Sequence, residues 1–239
     1  MSKPQLFCFT HAGGTAAFFD PIERDLSGFA PVKLEYPGHG ARHKEPCCRS
    51  FGELAEDAYC HLKDLYSGGD YALFGYSMGA ITLVEVLQRI LDDSGMRAPF
   101  HVFLAAHEPH AKAELSGFAA GESDEWVKER TVRFGAVPEK LQSNKSFWRM
   151  YLPLYRADYS LIGAYRFENL TLRADVPATV FYSEEDTPRS EMERWRDYFT
   201  GACTYHEFPG GHFFMQEHHR AMARIMDLEA RRGGDGHGV

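Results

Sequence analysis

The sequence predicts an α/β fold in which a mostly parallel sheet carries helices on both faces. Short apolar segments recur along the chain with helical patterns between them, an alternation typical of parallel sheets. The composition is that of a globular chain with a sizeable core, because 44% of the 239 residues are hydrophobic and 14% are aromatic. No stretch has the composition of a linker, so we expect a single domain over residues 1–239.

Each predicted element follows from a local pattern. Apolar segments bounded by turn residues predict strands at 5–9, 32–36, 71–75, 101–106, 178–182 and 203–208. Apolar residues at helical spacing predict helices around 15–26, 50–66, 79–93, 188–199 and 215–230. The end of the chain, residues 232–239, is rich in glycine and is predicted to be a disordered tail.

One interval, between the fourth and fifth predicted strands, breaks the alternation. Helical patterns at 122–134 and 144–166 replace any strand there, which indicates an insertion above the sheet. Its aromatic rings either form a small core of their own or line an apolar channel. These rings are Phe118, Trp126, Phe134, Phe147, Trp148, Tyr151, Tyr155, Tyr159, Tyr165 and Phe167.

Charge and composition argue against several classes of protein. A formal net charge of −8 disfavours phosphate-led binding of nucleic acid. The apolar runs are too short to cross a bilayer and the N-terminus lacks a signal-peptide pattern, so we expect a cytoplasmic monomer that binds no membrane. Five cysteines without C-x-x-C spacing suggest neither a zinc site nor a disulfide framework.

Ser77 lies in GYSMG, which matches the pattern G-x-S-x-G. A serine there is either a nucleophile or a small residue in a tight turn. The apolar segment YALF precedes it and an amphipathic helical pattern follows, which is the strand–turn–helix context of a nucleophile elbow. This context favours the nucleophile.

A serine nucleophile needs a histidine to take its proton and a carboxylate to orient that histidine. Of twelve histidines, His212 alone lies in a glycine-rich turn after the last predicted strand. The acid is expected after the preceding strand, where Glu184, Glu185 and Asp186 are candidates. We assign Asp186, because Thr187 and Pro188 start the next helix and leave Asp186 on the connecting loop.

Two backbone amides are expected to stabilise the oxyanion of a tetrahedral intermediate. One is the N–H of Met78, the residue after the nucleophile. The other is assigned to Ala12 in FTHAGGT, where an apolar strand ends and Gly13 and Gly14 free the backbone. A plain strand–helix turn with flexible glycines is the alternative for this second motif.

Six segments together resemble the type II thioesterases, the freestanding editing enzymes of polyketide and nonribosomal peptide synthesis. The resemblance covers residues 5 to about 230. It is carried by FTHAGGTAAFFD, LEYPGHGAR, LFGYSMGA, LPLYRADYSLIGAYRF, SEED and FPGGHFFM, in that order. Of these, LPLYRADY and PGGHFF are more diagnostic than the serine motif.

The resemblance implies an α/β-hydrolase fold, a triad of Ser77, His212 and Asp186, and oxyanion donors at Ala12 and Met78. It further implies that residues 112–170 form a helical lid over an acyl pocket. The implied substrate is an acyl group on the phosphopantetheine arm of a carrier protein, and no metal or cofactor is called for.

Some residues depart from the usual family pattern. Thr10 replaces a proline, His39 replaces the arginine of P-G-R-G, and Ser183 replaces a glycine in the acid loop. AAHEPH, residues 105–110, replaces a more typical S-G-x-x-A-P and brings His107 and His110 near a strand end. The sequence assigns no role to His39, His107 or His110.

Three other functions are alternatives to be weighed against these residues. A small-molecule carboxylesterase or a medium-chain fatty acyl thioesterase would use the same triad. A hydrolase fold kept as a binding module would have lost triad members, and all of them are present here. The basic residues in and beside the insertion suggest a surface for an acidic carrier protein, although local acids such as Asp158 and Glu168 offer them partners. These basic residues are Arg149, Arg156, Arg166 and Arg173.

Overall fold

The computed structural model describes residues 3–109 and 123–235. Six parallel strands form one sheet in the order β2-β1-β3-β4-β5-β6. The strands are β1 (Gln5–Phe9), β2 (Ala30–Lys33), β3 (Tyr71–Tyr76), β4 (His101–Ala105), β5 (Ala178–Tyr182) and β6 (Cys203–Glu207). The predicted fold class is confirmed by this sheet and the helices around it.

Eight α-helices are present in the described part of the chain. They are α1 (Asp20–Asp25), α2 (Phe51–Leu65), α3 (Met78–Asp92), α4 (Asp124–Arg133), α5 (Glu139–Gln142), α6 (Lys145–Ala164), α7 (Arg189–Met192) and α8 (Met215–Asp235). Short 3₁₀ turns lie at Ala16–Phe19, Gly40–Arg42, Phe167–Asn169 and Glu193–Asp197. In the described ranges 3–109 and 123–235, none of the helices combines the length and apolar character that a membrane crossing requires.

The core consists of two layers, one on each face of the sheet. Alternate residues of β1 show this, because Phe7 and Phe9 join one buried cluster whereas Leu6 and Cys8 join the other. The first cluster includes residues of α2, α3 and α6, and the second includes residues of α1 and α8. The central strands are therefore covered on both sides, as a parallel sheet requires.

Two of the larger differences from the sequence prediction concern β2 and the end of α8. The second strand was expected at 32–36, but it begins at Ala30 and ends at Lys33, because its register pairs Ala30 with Gln5 at the start of β1. A disordered tail was expected over 232–239, whereas α8 continues through Asp235. Arg232 pairs with Glu229 at 2.7 Å near the end of this helix, where a basic side chain is favourable. Residues 236–239 lie outside those described.

The insertion between β4 and β5 contains α4, α5 and α6 in its described part. Trp148, Tyr155, Tyr159, Tyr165 and Phe167 are buried in the cluster that also contains the apolar face of α3. These five rings therefore pack into the main core instead of forming a separate one. Phe118 and the remainder of 112–122 lie outside the described residues.

The ends of the strands determine where a site can form. Ser77 follows β3, Asp186 follows β5, and His212 follows β6. Because parallel strands end at the same edge of a sheet, these three loops and the loop after β1 meet there, which is where ligands bind in open α/β sheets.

Candidate active site

Ser77 occupies a sharp turn between β3 and α3. Its backbone has φ 55° and ψ −120°, a conformation that costs free energy for a residue with a side chain. Neighbouring glycines make the turn possible, since a Cβ at Gly75 would collide with the Gly79 carbonyl and a Cβ at Gly79 with the Phe9 carbonyl. The Ser77 N–H donates to the Ala105 carbonyl at 2.8 Å, which ties the turn to β4.

His212 lies between Ser77 and Asp186. Its Nε2 is 2.8 Å from Ser77 Oγ, and its Nδ1 is 2.8 Å from Asp186 Oδ2. Asp186 can only accept when ionised, so Nδ1 carries the proton and Nε2 is left to accept from the serine hydroxyl. The His212 side chain is 10% exposed and that of Asp186 is 7% exposed, so this chain of hydrogen bonds is largely shielded from water.

The three acids of the β5 loop point in different directions. Glu184 accepts from the Arg189 N–H at 3.0 Å, at the start of α7, and Glu185 accepts from the Gly210 N–H at 3.0 Å. Only Asp186 reaches the His212 ring. Glu185 instead fastens the acid loop to the glycine-rich loop that carries His212.

Ser183 and Tyr76 also hold the histidine loop. The Ser183 hydroxyl donates to the Gly210 carbonyl and accepts from the Glu185 N–H at 3.2 Å, which closes the acid loop. The Tyr76 hydroxyl donates to the His212 carbonyl at 2.7 Å. Both hydroxyls thus fix the backbone that presents His212.

The loop after β1 brings Ala12 to the serine. The neighbouring amides are occupied, since Gly14 N–H donates to the His11 carbonyl at 3.0 Å and Gly13 N–H donates to Asp158 Oδ2 at 2.6 Å. In the described part of the chain, neither the Ala12 nor the Met78 N–H donates to another backbone group. Both amides are therefore available to a ligand beside Ser77, as an oxyanion hole requires.

A small cavity opens beside the serine, with space of about 40 Å³ for water-sized molecules. Phe134, Ala136, Tyr159 and Ile162 contribute an apolar wall from the insertion. The rest of the lining consists of His11, Ala12, Ser77, Ala106, His107, Glu108, His212 and Phe213. The aromatic pattern of the insertion predicted Phe134 and Tyr159 as candidate rings for an apolar channel, but it did not predict Ile162 or Phe213.

Burial makes His11 a neutral member of this wall. Desolvation lowers the pKa of His11 to about 4; a hydrogen bond to the Ala12 carbonyl opposes this effect, and the nearby His39 adds to it. Its Nδ1 lies 3.0 Å from that carbonyl, so it donates to it. His11 therefore adds no cation beside Ser77 at neutral pH.

His107 and Glu108 bring two buried polar side chains to the cavity. The His107 side chain bonds to the Glu108 carbonyl, and its own carbonyl accepts from Trp195 Nε1 at 2.9 Å. Glu108 is 4% exposed, and its carboxylate accepts from the Thr187 hydroxyl at 3.4 Å. His110, the other histidine of this segment, lies outside the described residues.

Asp158, to which the sequence patterns assigned no role in the site, lies on α6 and bonds to the loop after β1. Asp158 was considered only as a local partner for arginines, yet its Oδ2 contacts Gly13 N–H and His39 Nε2, the latter at 2.9 Å. Arg156 pairs with Asp124 at 2.6 Å instead, and Arg166 donates to the carbonyls of Gly163 and Tyr165. These contacts join Asp158 to residues remote in sequence, so the motif LYRADY alone did not indicate them.

Comparisons with known proteins identify relatives over nearly the whole chain. A family model described as "Thioesterase domain" matches residues 4–229. A probable cadicidin biosynthesis thioesterase of Streptomyces griseus is 34% identical over 217 residues, covering 90% of this chain and 59% of that protein. The present chain thus spans a little over half the length of that relative.

Two further proteins give a closer match in length. The medium-chain S-acyl fatty acid synthase thioesterase of Homo sapiens is 28% identical over 88% of this chain and 80% of its own length. The crystal structure of ClbQ, from the colibactin NRPS/PKS pathway, is 27% identical and superposes with a TM-score of 0.88, covering 98% of this chain and 99% of the other. Sequence and fold therefore point to the same family.

Proposed function

This chain belongs to the thioesterase family, and we propose that it is a serine thioesterase that removes acyl groups from carrier proteins of a polyketide or nonribosomal peptide synthase. The observation that carries the proposal is the hydrogen-bonded chain from Ser77 through His212 to Asp186 at the wall of a cavity. The cadicidin relative and the colibactin-pathway protein support the synthase context.

In the first half of the reaction, Ser77 Oγ attacks the thioester carbonyl while His212 Nε2 takes the hydroxyl proton. The carbonyl oxygen becomes an oxyanion, which accepts hydrogen bonds from the N–H groups of Ala12 and Met78. The C–S bond then breaks, and the phosphopantetheine thiolate leaves and takes up the proton from His212. An acyl-Ser77 ester remains.

In the second half, water takes the place of the thiol. His212 Nε2 removes one proton from that water, whose oxygen attacks the ester carbonyl. The oxyanion forms again between Ala12 and Met78, and Ser77 Oγ leaves with the proton from His212. The acid is released, and the chain of hydrogen bonds returns to its starting state without any redox step.

We assign the insertion, residues 112–170, the role of a lid over the acyl pocket. Its described part supplies Phe134, Tyr159 and Ile162 to the cavity wall, so movement of α4 and α6 would change the space beside Ser77. The small volume of the cavity favours short acyl groups as substrates. A longer chain would require these helices to move apart.

The alternative function is that of a medium-chain fatty acyl thioesterase, and the human relative favours it. The two functions differ in acyl preference. A medium-chain enzyme has a sharp optimum at one chain length, whereas an editing enzyme with a small pocket accepts several short acyl groups. A carboxylesterase, in turn, would hydrolyse oxygen esters as fast as thioesters.

Carrier recognition supplies the test of the proposed function. We expect kcat/KM for a short acyl group on a carrier protein to exceed that for the same acyl group on N-acetylcysteamine by about tenfold or more at low salt. The advantage should shrink as ionic strength rises, because screening shortens the range of attraction between exposed charges to about 8 Å at physiological salt. Equal rates on both substrates with no salt dependence would contradict carrier recognition.

Two charge-reversal variants test which surface of the protein binds the carrier. Arg149 is exposed on α6, beside Met150, which is 68% exposed. We expect Arg149→Glu to lower kcat/KM for the carrier substrate several-fold at low salt. Arg231→Glu is the control. Arg231 is exposed on α8, sixteen residues after the first residue of that helix, which corresponds to about 24 Å along the helix axis. The control should behave as the unmodified protein does.

A further inference from the structure

His39 is a buried histidine whose two ring nitrogens both face oxygen acceptors. Nδ1 lies 2.9 Å from the Pro37 carbonyl, and Nε2 lies 2.9 Å from Asp158 Oδ2. A neutral imidazole has one N–H and satisfies one of these acceptors, whereas the imidazolium donates to both. The geometry therefore fits the protonated ring, and His39 is 1% exposed.

The partner of His39 also holds the loop that supplies Ala12. Asp158 Oδ2 accepts from the Gly13 N–H at 2.6 Å, and Asp158 is 3% exposed. Gly13 has φ 69°, and a Cβ there would collide with the Tyr155 ring, so the loop fits tightly against α6. One carboxylate oxygen thus connects His39 with the residue next to Ala12.

The charges around His39 favour its protonated form. Burial lowers the pKa of His39, but the charge and hydrogen bond of Asp158, the Pro37 carbonyl and the charge of Glu35 outweigh it, so the pKa is raised above its ordinary value. His11 adds little opposing charge because it is neutral at neutral pH. The other titratable groups nearby are neutral thiol or phenol side chains with raised pKa values: Tyr36, Cys47, Tyr155 and Tyr159.

We infer that Asp158 and protonated His39 are positioning residues that hold the oxyanion loop in place, so that turnover falls when alkaline conditions remove the proton from His39. Loss of that proton leaves the Asp158 charge buried without its counter-ion, and buried charges of this kind are costly. Asp158 then rearranges, and its hydrogen bond to the Gly13 N–H weakens. The Ala12 N–H moves away from the position of the oxyanion.

This inference rests on the proposed function and adds an alkaline limb to its pH dependence. His39 must be protonated, so turnover falls as the pH rises through the raised pKa of His39. The fall should appear in kcat more than in KM, because the oxyanion contacts form in the transition state and not with the bound substrate.

The test is the pH profile of kcat for the unmodified protein, His39→Arg, His39→Gln and a control, His43→Gln. Arginine keeps its charge throughout the range, so His39→Arg should shift the alkaline limb to higher pH or remove it. The glutamine of His39→Gln is uncharged at every pH. The kcat of this variant should be about ten- to a hundredfold lower near neutral pH, which is less than the loss in kcat on removing an oxyanion donor entirely. His43 is exposed on the same segment, and its replacement should leave the profile unchanged.

Two additional measurements keep the inference falsifiable if the arginine does not fit the buried site. Asp158→Asn should lower kcat by about ten- to a hundredfold with a smaller effect on KM. An NMR titration of the imidazole signals should place the pKa of His39 above its ordinary value in the unmodified protein and lower in Asp158→Asn. A His39 that is neutral in the folded protein at pH 6.5, or an alkaline limb identical in all variants, would overturn the inference.

The failure of the inference and the failure of the proposed function are distinguishable. If the unmodified protein hydrolyses acyl-carrier thioesters but the pH profile does not respond to His39 or Asp158, only the positioning role is wrong. If no acyl thioester is hydrolysed at any pH, the proposed function is wrong and the inference is overturned with it.

Discussion

Replacing Ser77 by alanine is expected to lower kcat for hydrolysis of an acyl-carrier thioester by about 10⁴- to 10⁶-fold, the usual cost of losing the nucleophile of a triad. The variant loses the Oγ that lies 2.8 Å from His212 Nε2, so no acyl-enzyme forms. His212→Ala should lose a comparable amount. The double variant should be little worse than either single one, because the residues act as a unit.

The measurement is single-turnover and steady-state hydrolysis by each purified variant, with circular dichroism to confirm that it is folded. Ser94→Ala is the matched control, since Ser94 is an exposed serine just beyond α3. It should retain full activity. A Ser77→Ala variant that keeps more than about a tenth of the original kcat would contradict the assignment of the nucleophile, given the size of the loss expected.

Replacing Asp186 by asparagine is the second large effect, with an expected loss of about 10⁴-fold in kcat. The amide NH₂ of asparagine can donate to His212 Nδ1, which favours the tautomer that carries its proton on Nε2. That nitrogen then cannot accept the proton of Ser77. The loss should fall on kcat, with the fold and KM largely retained.

The neighbouring glutamates provide internal controls for this experiment. Glu184 and Glu185 bond to the backbone N–H groups of Arg189 and Gly210, and glutamine oxygens can accept the same hydrogen bonds. Glu184→Gln and Glu185→Gln should therefore stay close to full activity. If Glu185→Gln proves to be the crippling change while Asp186→Asn remains active, the orienting acid has been assigned to the wrong residue.

Local sequence patterns predicted the elements that position the site. The run YALF followed by GYSMG indicated β3, the turn at Ser77 and α3, because each of these depends on residues close together in the chain. The glycines of that turn are required by approaches to backbone that a Cβ would block. The alternation of apolar runs also predicted a parallel sheet. It did not predict the register of β2 against β1, which places β2 at Ala30–Lys33.

Local sequence patterns did not predict contacts between segments that are far apart in the chain. Asp158 is 145 positions from Gly13 and 119 from His39 in the chain, so nothing near it signals that it holds the loop after β1. The same is true of Arg156, which pairs with Asp124, 32 positions away. The contact between the Tyr155 ring and Gly13 likewise joins segments that are far apart in the sequence.

The most direct test of the central claim is to find where the acyl group goes. The protein is mixed with an acyl-carrier thioester and quenched in acid within one turnover. Protease digestion and mass spectrometry then locate any peptide that has gained the mass of the acyl group. We predict that the acyl group is found on Ser77, and that a fluorophosphonate labels the same residue and blocks the acylation. An acyl group attached to another residue, or hydrolysis that continues after Ser77 is labelled, would contradict the assignment of Ser77 as the nucleophile of a thioesterase.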